Sequence, residues 1–375
     1  MSPTPVTFVS PTAPAGYAWE ATSEAVAQRY GVPLERVARF DLNTSPSPPE
    51  LAEQILAAGR LDLPMSEYPP SDYRRLIEAA AARYGVATDE LLVGAGADEI
   101  LDLIVKAFLP IGGTAVLPAP SYAMYRVLTE QRGARLAVVP RLPASEGFVI
   151  DGKAVRAAAR TADVVWLCSP NNPTGRSEPP GTIEALLDGL AADAANDGRP
   201  LPIVVLDEAY AEFAGTSLLD LRNRYDGLVI VRTMSKAYAL AGLRVGFAIA
   251  RPELIAGLSP YRPPGSVSVV SVSIAADVLA EPSLPAGNVA RVQAERERLA
   301  NGLRNAGCTV LPSVTNFLLV DFGTAARAAA VAEGMLERGL VPRTFPSDHP
   351  LAAYLRLTVR DEPQDDRLIE AAKEL

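Results

Sequence analysis

The stretch Thr233-Met-Ser-Lys236-Ala-Tyr-Ala-Leu-Ala-Gly-Leu-Arg244-Val-Gly-Phe247 sets a lysine directly behind the apolar run Val229-Ile-Val231. Its neighbours are small or apolar, and lysine is among the residues least often fully buried. For an isolated lysine the ordinary account is a strand end with the amine in solvent. A chemical account needs an electrophilic partner and groups that hold it. The rest of the chain supplies candidates for both.

Working outward, short apolar runs recur at Leu91–Val93, Thr114–Leu117, Leu136–Val139, Val164–Leu167, Ile203–Leu206, Val229–Val231 and Val245–Ile249. Helical stretches separate them. Continuous rather than alternating hydrophobicity suits strands buried on both faces, as in a mainly parallel sheet covered by helices. That alternation defines an α/β domain. Upstream, helical spacing predicts helices over Ala21–Tyr30 and Asp72–Tyr84, with a short extended piece at Val37–Leu42 between them. Beyond Pro260 the rhythm changes. A long charged helix over Val289–Asn305 leads to strand-like Thr309–Leu311, Phe317–Val320 and Tyr354–Val359, a smaller α+β unit. The expected division is a Pro/Ser/Thr-rich flexible arm (1–16), an N-terminal segment joining the small domain (17–65), a large domain (66–260) and a small C-terminal domain (261–375).

At 375 residues, 49% of them hydrophobic, the chain has room for two domains with sizeable cores. Its 35 Lys+Arg against 44 Asp+Glu give a formal charge of −9. That balance opposes nucleic-acid and anionic-membrane partners, which need a basic surface. Only Cys168 and Cys308 could form a disulfide, so a reducing, cytoplasmic setting is expected. The N-terminus lacks the basic start and apolar core of a signal peptide, and no apolar run reaches membrane-spanning length.

Asp207 ends the run Ile203–Leu206, and in open α/β sheets sites collect beyond the carboxyl ends of the strands. A carboxylate there could pair with a protonated pyridine nitrogen and make that ring an electron sink. As an alternative it is an N-cap. Tyr210 could reach the same side, although a lone tyrosine more often packs. Asn172 stands in Ser169-Pro-Asn-Asn-Pro-Thr-Gly175, which by itself is ordinary turn chemistry. Gly94-Ala-Gly-Ala-Asp98 opens a predicted helix whose first N–H groups could cradle a phosphate, or it is merely a tight strand–helix turn. His349 has no visible partners for a metal or a catalytic triad, and Cys168 reads as a small core residue.

Together, the ordered series Asn172-Pro-Thr-Gly175, Asp207-Glu-Ala-Tyr210 and Ser235-Lys236 through Phe247 resembles the pyridoxal-phosphate (PLP) aminotransferases of fold type I. Within them the chain is most similar to the histidinol-phosphate aminotransferase subgroup, from about Tyr68 to about Val359. The resemblance implies an aspartate-aminotransferase-like fold: a large α/β domain with a mainly parallel seven-stranded sheet, plus a smaller α+β domain. It implies that Lys236 carries PLP as a Schiff base, that Asp207 pairs with the ring nitrogen, and that Asn172 and Tyr210 bond the ring oxygen. It further implies Tyr122 against the ring face, and Ala97, Asp98, Ser235 and Arg244 around the phosphate. Tyr68 matches a tyrosine that family members lend to the neighbouring subunit, which implies a homodimer with shared sites. Arg356 and Arg343 match arginines that take the acidic group of the substrate. For Arg343 a surface salt bridge competes with that role. Tyr17 and Asn43 are further substrate candidates.

One stretch departs from the family pattern. Where an Asn-Glu-Asn-Pro turn is usual, the chain reads Leu42-Asn-Thr-Ser-Pro-Ser-Pro48, and this loop borders the substrate. The expected reaction is ping-pong amino transfer from an amine or amino-acid donor, with histidinol phosphate foremost, to 2-oxoglutarate. An aromatic or other amino-acid aminotransferase, or a decarboxylase resembling threonine-phosphate decarboxylase, would keep nearly all these residues. A binding module without chemistry is opposed by the intact Lys236–Asp207 pair.

Overall fold

The computed structural model describes residues 16–375. The expected arm over 1–16 lies outside the described residues except for the exposed Gly16. Twelve strands follow in chain order: β1 (Ala38–Arg39), β2 (Leu91–Gly94), β3 (Thr114–Ala119), β4 (Arg135–Pro140), β5 (Val164–Cys168), β6 (Ile203–Asp207), β7 (Leu228–Thr233), β8 (Gly246–Ala250), β9 (Thr309–Val310), β10 (Phe317–Asp321), β11 (Leu340–Val341) and β12 (Tyr354–Thr358).

The seven apolar runs are strands β2 to β8, and they form one sheet in the order β2-β8-β7-β6-β5-β3-β4. Only β8 runs antiparallel to its neighbours, β2 and β7; the other pairs are parallel. Strands β5 to β8 are buried along almost their whole length, because helices cover both faces. On one face Leu76 and Ala80 (helix Arg74–Tyr84), Val155 (helix Gly152–Ala159) and Leu186 and Leu190 (helix Thr182–Asn196) fill the core. On the other face Ile100, Leu101 and Ile104 of helix Gly96–Phe108 pack with Tyr125 and Leu128 of helix Ala123–Gln131.

The smaller unit contains the antiparallel sheet β12-β10-β9, and β1 pairs in parallel with β11. The long helix spans Ala286–Asn305 and packs there with helix Glu362–Glu374. The predicted helix over Ala21–Tyr30 begins at Ser23, because the Thr22 side chain caps it by accepting from Ala25 N–H at 3.2 Å. The extended piece at Val37–Leu42 contributes only the two-residue β1.

Helix Val269–Ala280 was not expected from periodicity. It is apolar nearly all round, so it shows no 3.6-residue stripe, and it lies buried against helix Arg74–Tyr84 in the larger core. Ala52 and Ile55 of helix Glu50–Ala57 join the same core. The expected boundaries at 65/66 and 260/261 therefore do not separate the two cores, and we propose counting both helices with the large domain. Among the described residues, no helix is long and apolar enough to cross a membrane.

Candidate active site

Beyond the carboxyl ends of β5, β6 and β7 a cavity of about 620 Å³ opens. Its walls draw on chain segments more than 300 residues apart, and they include Tyr17, Asn43, Ala97, Asp98, Tyr122, Asn172, Asp207, Tyr210, Ser235, Lys236, Arg244, Arg343 and Arg356. Every expected site residue is there except Tyr68, which is 88% exposed and borders Gly265 on the surface.

Lys236 follows β7 in the Ser235–Ala239 turn, and its amine is buried. Among the described residues its amine makes one hydrogen bond, a long one donated from Nζ to the Leu42 carbonyl at 3.4 Å. Burial pushes the amine down to about 8, helped by the charge of Arg356 and opposed by Asp98 and Asp207. A lysine in this state has a neutral, nucleophilic fraction near neutral pH.

Asp207 ends β6, in register with Cys168 of β5. Burial lifts its carboxyl to about 6, while hydrogen bonds from Tyr125 and from Ala209 N–H pull the other way. Those bonds are 2.7 Å to Oδ2 and 3.0 Å to Oδ1. The next helix, Ala211–Ala214, has Tyr210 at its N-cap position, so Asp207 is not a helix cap. It is a buried carboxylate facing the same cavity as Lys236.

Helix Gly96–Phe108 begins at the cavity wall, and its first N–H groups have no acceptor within the helix. Gly96 has φ +83°, and a Cβ there would meet the Arg244 guanidinium at 2.5 Å. At Gly246 a Cβ would strike the Gly96–Ala97 backbone. The two glycines keep this corner open to backbone. Arg244 is itself in the left-handed region at φ +52°, a strained setting for a side chain that lines a site. Its guanidinium meets the Asp98 carboxylate at 3.4 Å, and Asp98 also accepts from Tyr122 Oη at 3.0 Å. The Asp98 carboxylate is therefore engaged, which leaves the backbone N–H groups, Ser235 and Arg244 as the groups of this corner with the chemistry to take an anion.

Arg356 reaches the cavity from β12. Its Nη1 donates to Asn172 Oδ1 at 2.7 Å, and its Nη2 donates to the Asp41 carbonyl. Its Nε is buried and has no partner among the described residues. Arg343 donates to the Ala18 carbonyl at 2.6 Å, lies over the Tyr17 ring at 5.2 Å, and meets Glu20 at 3.7 Å. Arg343 is thus ion-paired and also lines the cavity. Asn43 donates to Tyr210 Oη at 2.9 Å, so its amide serves this tyrosine.

Residues missed in the sequence include Trp19, whose ring meets Tyr17 edge-on at 4.8 Å, and Tyr125 beneath Asp207. Tyr17 of the same segment is a candidate through the family resemblance alone; no local pattern marks Trp19 as its neighbour at the cavity. Cys168 is buried as expected, but it also lines the cavity, with its thiol pushed up to about 12. His349 accepts from Leu351 N–H at 3.1 Å and stacks on Phe345, a loop role.

Do these residues fit PLP? A depressed buried lysine amine suits its aldehyde, a buried carboxylate suits its ring nitrogen, and a glycine-opened helix start with Arg244 suits its phosphate. They fit, and the fold and cavity together define a PLP-dependent transferase of fold type I.

Comparison with known proteins agrees. The family model "Aminotransferase class I and II" matches residues 41–371, and the chain belongs to that family. It is 39% identical to a histidinol-phosphate aminotransferase of Roseiflexus castenholzii over 94% of this chain and 93% of that protein. It is 35% identical to one from Thermococcus gammatolerans, over 90% and 91%. Among solved structures, histidinol-phosphate aminotransferase from Sinorhizobium meliloti in complex with pyridoxal-5'-phosphate superposes with a TM-score of 0.84 at 25% identity, covering 95% of each chain. L-threonine-O-3-phosphate decarboxylase from Porphyromonas gingivalis shares the fold, with a TM-score of 0.73 at 24% identity over 90% and 99%.

Proposed function

We propose that this aminotransferase moves the amino group of a phosphorylated amine, histidinol phosphate foremost, to 2-oxoglutarate in ping-pong order. The observation that carries the reading is the pairing of Arg356 and Arg343 in the cavity that holds Lys236 and Asp207. Two guanidinium groups exceed what a single α-carboxylate needs, and Arg356 keeps a buried N–H without a partner. Relatives from two distant organisms bearing the same name support the donor.

PLP, when bound, supplies an electron sink for the bonds of the donor's Cα. Lys236 Nζ would hold its aldehyde, and Asp207 its ring nitrogen. Asn172 and Tyr210 would hold its ring oxygen, and Tyr122 would lie against its face. The N–H groups of Ala97 and Asp98, with Ser235 and Arg244, would hold its phosphate. Once released, Lys236 Nζ takes the proton from the donor's Cα, and its low pKa suits it to act as that base. Arg356 and Arg343 orient the acidic end of each substrate in turn, and Tyr17 borders the same space. Because Arg356 also fixes Asn172, substrate binding and cofactor binding share one guanidinium.

The reading includes a homodimer in which Tyr68 completes the partner subunit's phosphate site; its ring is exposed on the single chain. A cytoplasmic setting is supported by the free thiols of Cys168 and Cys308.

The test is kcat/KM for histidinol phosphate against phenylalanine, with glutamate formation from 2-oxoglutarate as the readout. Preference for histidinol phosphate is expected. Preference for phenylalanine would replace the donor by an aromatic amino acid, and carbon dioxide release without a keto product would make the enzyme a decarboxylase.

A further inference from the structure

Asp207 is held from below by a residue that does not line the cavity. Tyr125, fully buried on helix Ala123–Gln131, donates its hydroxyl to Asp207 Oδ2 at 2.7 Å. The phenol ring is itself fixed by two aromatic neighbours, and its backbone by a threonine. It stacks on Trp166 at 5.2 Å and 13°, and meets Tyr122 edge-on at 5.6 Å. Thr129 Oγ1 donates to the Tyr125 carbonyl at 2.7 Å and accepts from Trp166 Nε1 at 3.1 Å. Such a clamp leaves the hydroxyl little freedom to point anywhere but at the carboxylate.

We propose that Tyr125 is a positioning residue, whose clamped hydroxyl keeps Asp207 a charged acceptor aimed at the cavity. The argument starts from hydrogen-bond polarity. A phenol that donates needs an acceptor, and a carboxylate has only acceptors to offer. With Ala209 N–H on Oδ1 and Tyr125 on Oδ2, each oxygen is satisfied once from the protein and keeps lone-pair capacity for a donor in the cavity. Burial works against the charge, and the other titratable groups facing Asp207 divide. Asp98, Cys168 and Tyr210 would penalise a second negative charge nearby, while Lys236 favours it. Tyr125 is the one side-chain hydroxyl bonded to the carboxylate among the described residues. Its own ionisation is pushed far up by burial and by Asp207, so it remains a donor across the working pH range.

This inference rests on the role of Asp207 proposed above. Its test is cofactor affinity, measured on the full chain by equilibrium dialysis of PLP into apoprotein at several pH values. Tyr125→Phe keeps the ring stacked on Trp166 and removes one oxygen, and thermal melting of the apoprotein checks that it folds. The expected loss of PLP affinity at neutral pH is about ten- to hundredfold, the range for a hydrogen bond to a charged group. The loss should grow as the pH falls, because Asp207 without its donor protonates sooner. In an Asp207→Asn background the same substitution should change affinity by less than about twofold, since the two act as one unit. Thr129→Val, which loosens the clamp and leaves the hydroxyl in place, should give a smaller loss with the same pH trend. Equal losses in both backgrounds, or no loss from Tyr125→Phe, would overturn the role of Tyr125. If instead Asp207→Asn alone left affinity and its pH profile unchanged, the role assigned to Asp207 would fail first.

Discussion

Arg356 and Asn172, 184 residues apart, are joined by a 2.7 Å hydrogen bond from Nη1 to Oδ1 that links the smaller sheet to the loop beyond β5. The same guanidinium holds the Asp41 carbonyl, so one buried cation ties three segments around the cavity. Two of its five N–H donors are so engaged, and among the described residues its buried Nε has no partner. An arginine held this way is part of the cavity wall.

Replacing it should therefore cost more than a substrate contact. Arg356→Ala is expected to raise KM for donor and acceptor alike and to weaken PLP, because Asn172 loses its anchor. Arg343→Ala should raise KM chiefly for the phosphorylated donor and leave PLP affinity unchanged. Steady-state kinetics of both half-reactions, with PLP titrations, separate the two. Equal behaviour of the variants would remove the distinction.

Lys236 should be the residue that holds PLP covalently. The purified protein is expected to be yellow, and borohydride followed by peptide mass spectrometry should find the adduct on Lys236 alone. Because burial lowers this amine to about 8, its neutral form appears at lower pH than for an exposed lysine. Labelling of the apoprotein by a simple aldehyde with borohydride should reach half its maximal rate near pH 8, not near the value of about 10.4 usual for lysine. Lys236→Ala should lose turnover by orders of magnitude while keeping the fold.

Asp207→Asn should nearly abolish turnover, since a neutral amide cannot hold a ring nitrogen protonated. It should also change stability with a definite sign. The folded carboxyl sits near 6, above its ordinary value of 3.8, so the fold favours the protonated form. The contribution of Asp207 to apoprotein stability then falls as pH rises from about 4 to 6, by about 3 kcal/mol at most. The asparagine variant lacks that loss. In denaturant melts it should exceed the wild-type apoprotein above pH 6, with the gap closing below pH 4. A gap between variant and wild type that did not open across that window would mean that Asp207 is not held as described.

Tyr68 offers a test of shared sites. Co-expression of Tyr68→Phe with Lys236→Ala should give hybrid dimers with one intact site, and more activity than either homodimer. A monomer in sedimentation would contradict this, as would inactive hybrids of proven composition.

The sequence alone determined the seven strands of the large sheet, because continuous apolar runs have no other stable place than between helical layers. It likewise determined the Lys236, Asp207 and Asn172 segments, since each stands just beyond such a run and local order fixes that position. Tertiary structure decided what no local pattern encodes. Helix Val269–Ala280 is buried on nearly every side and shows no stripe to read. The Tyr17–Trp19 segment reaches the cavity through long-range contacts with Arg343 and Tyr122. Asn43 turned from a substrate candidate into the partner of Tyr210, and Tyr125 emerged beneath Asp207, because hydrogen bonds between residues 82 and 167 positions apart depend on how helices and sheet pack. Periodicity reports which face of an element is apolar; which side chains meet across that face is settled only when the layers close.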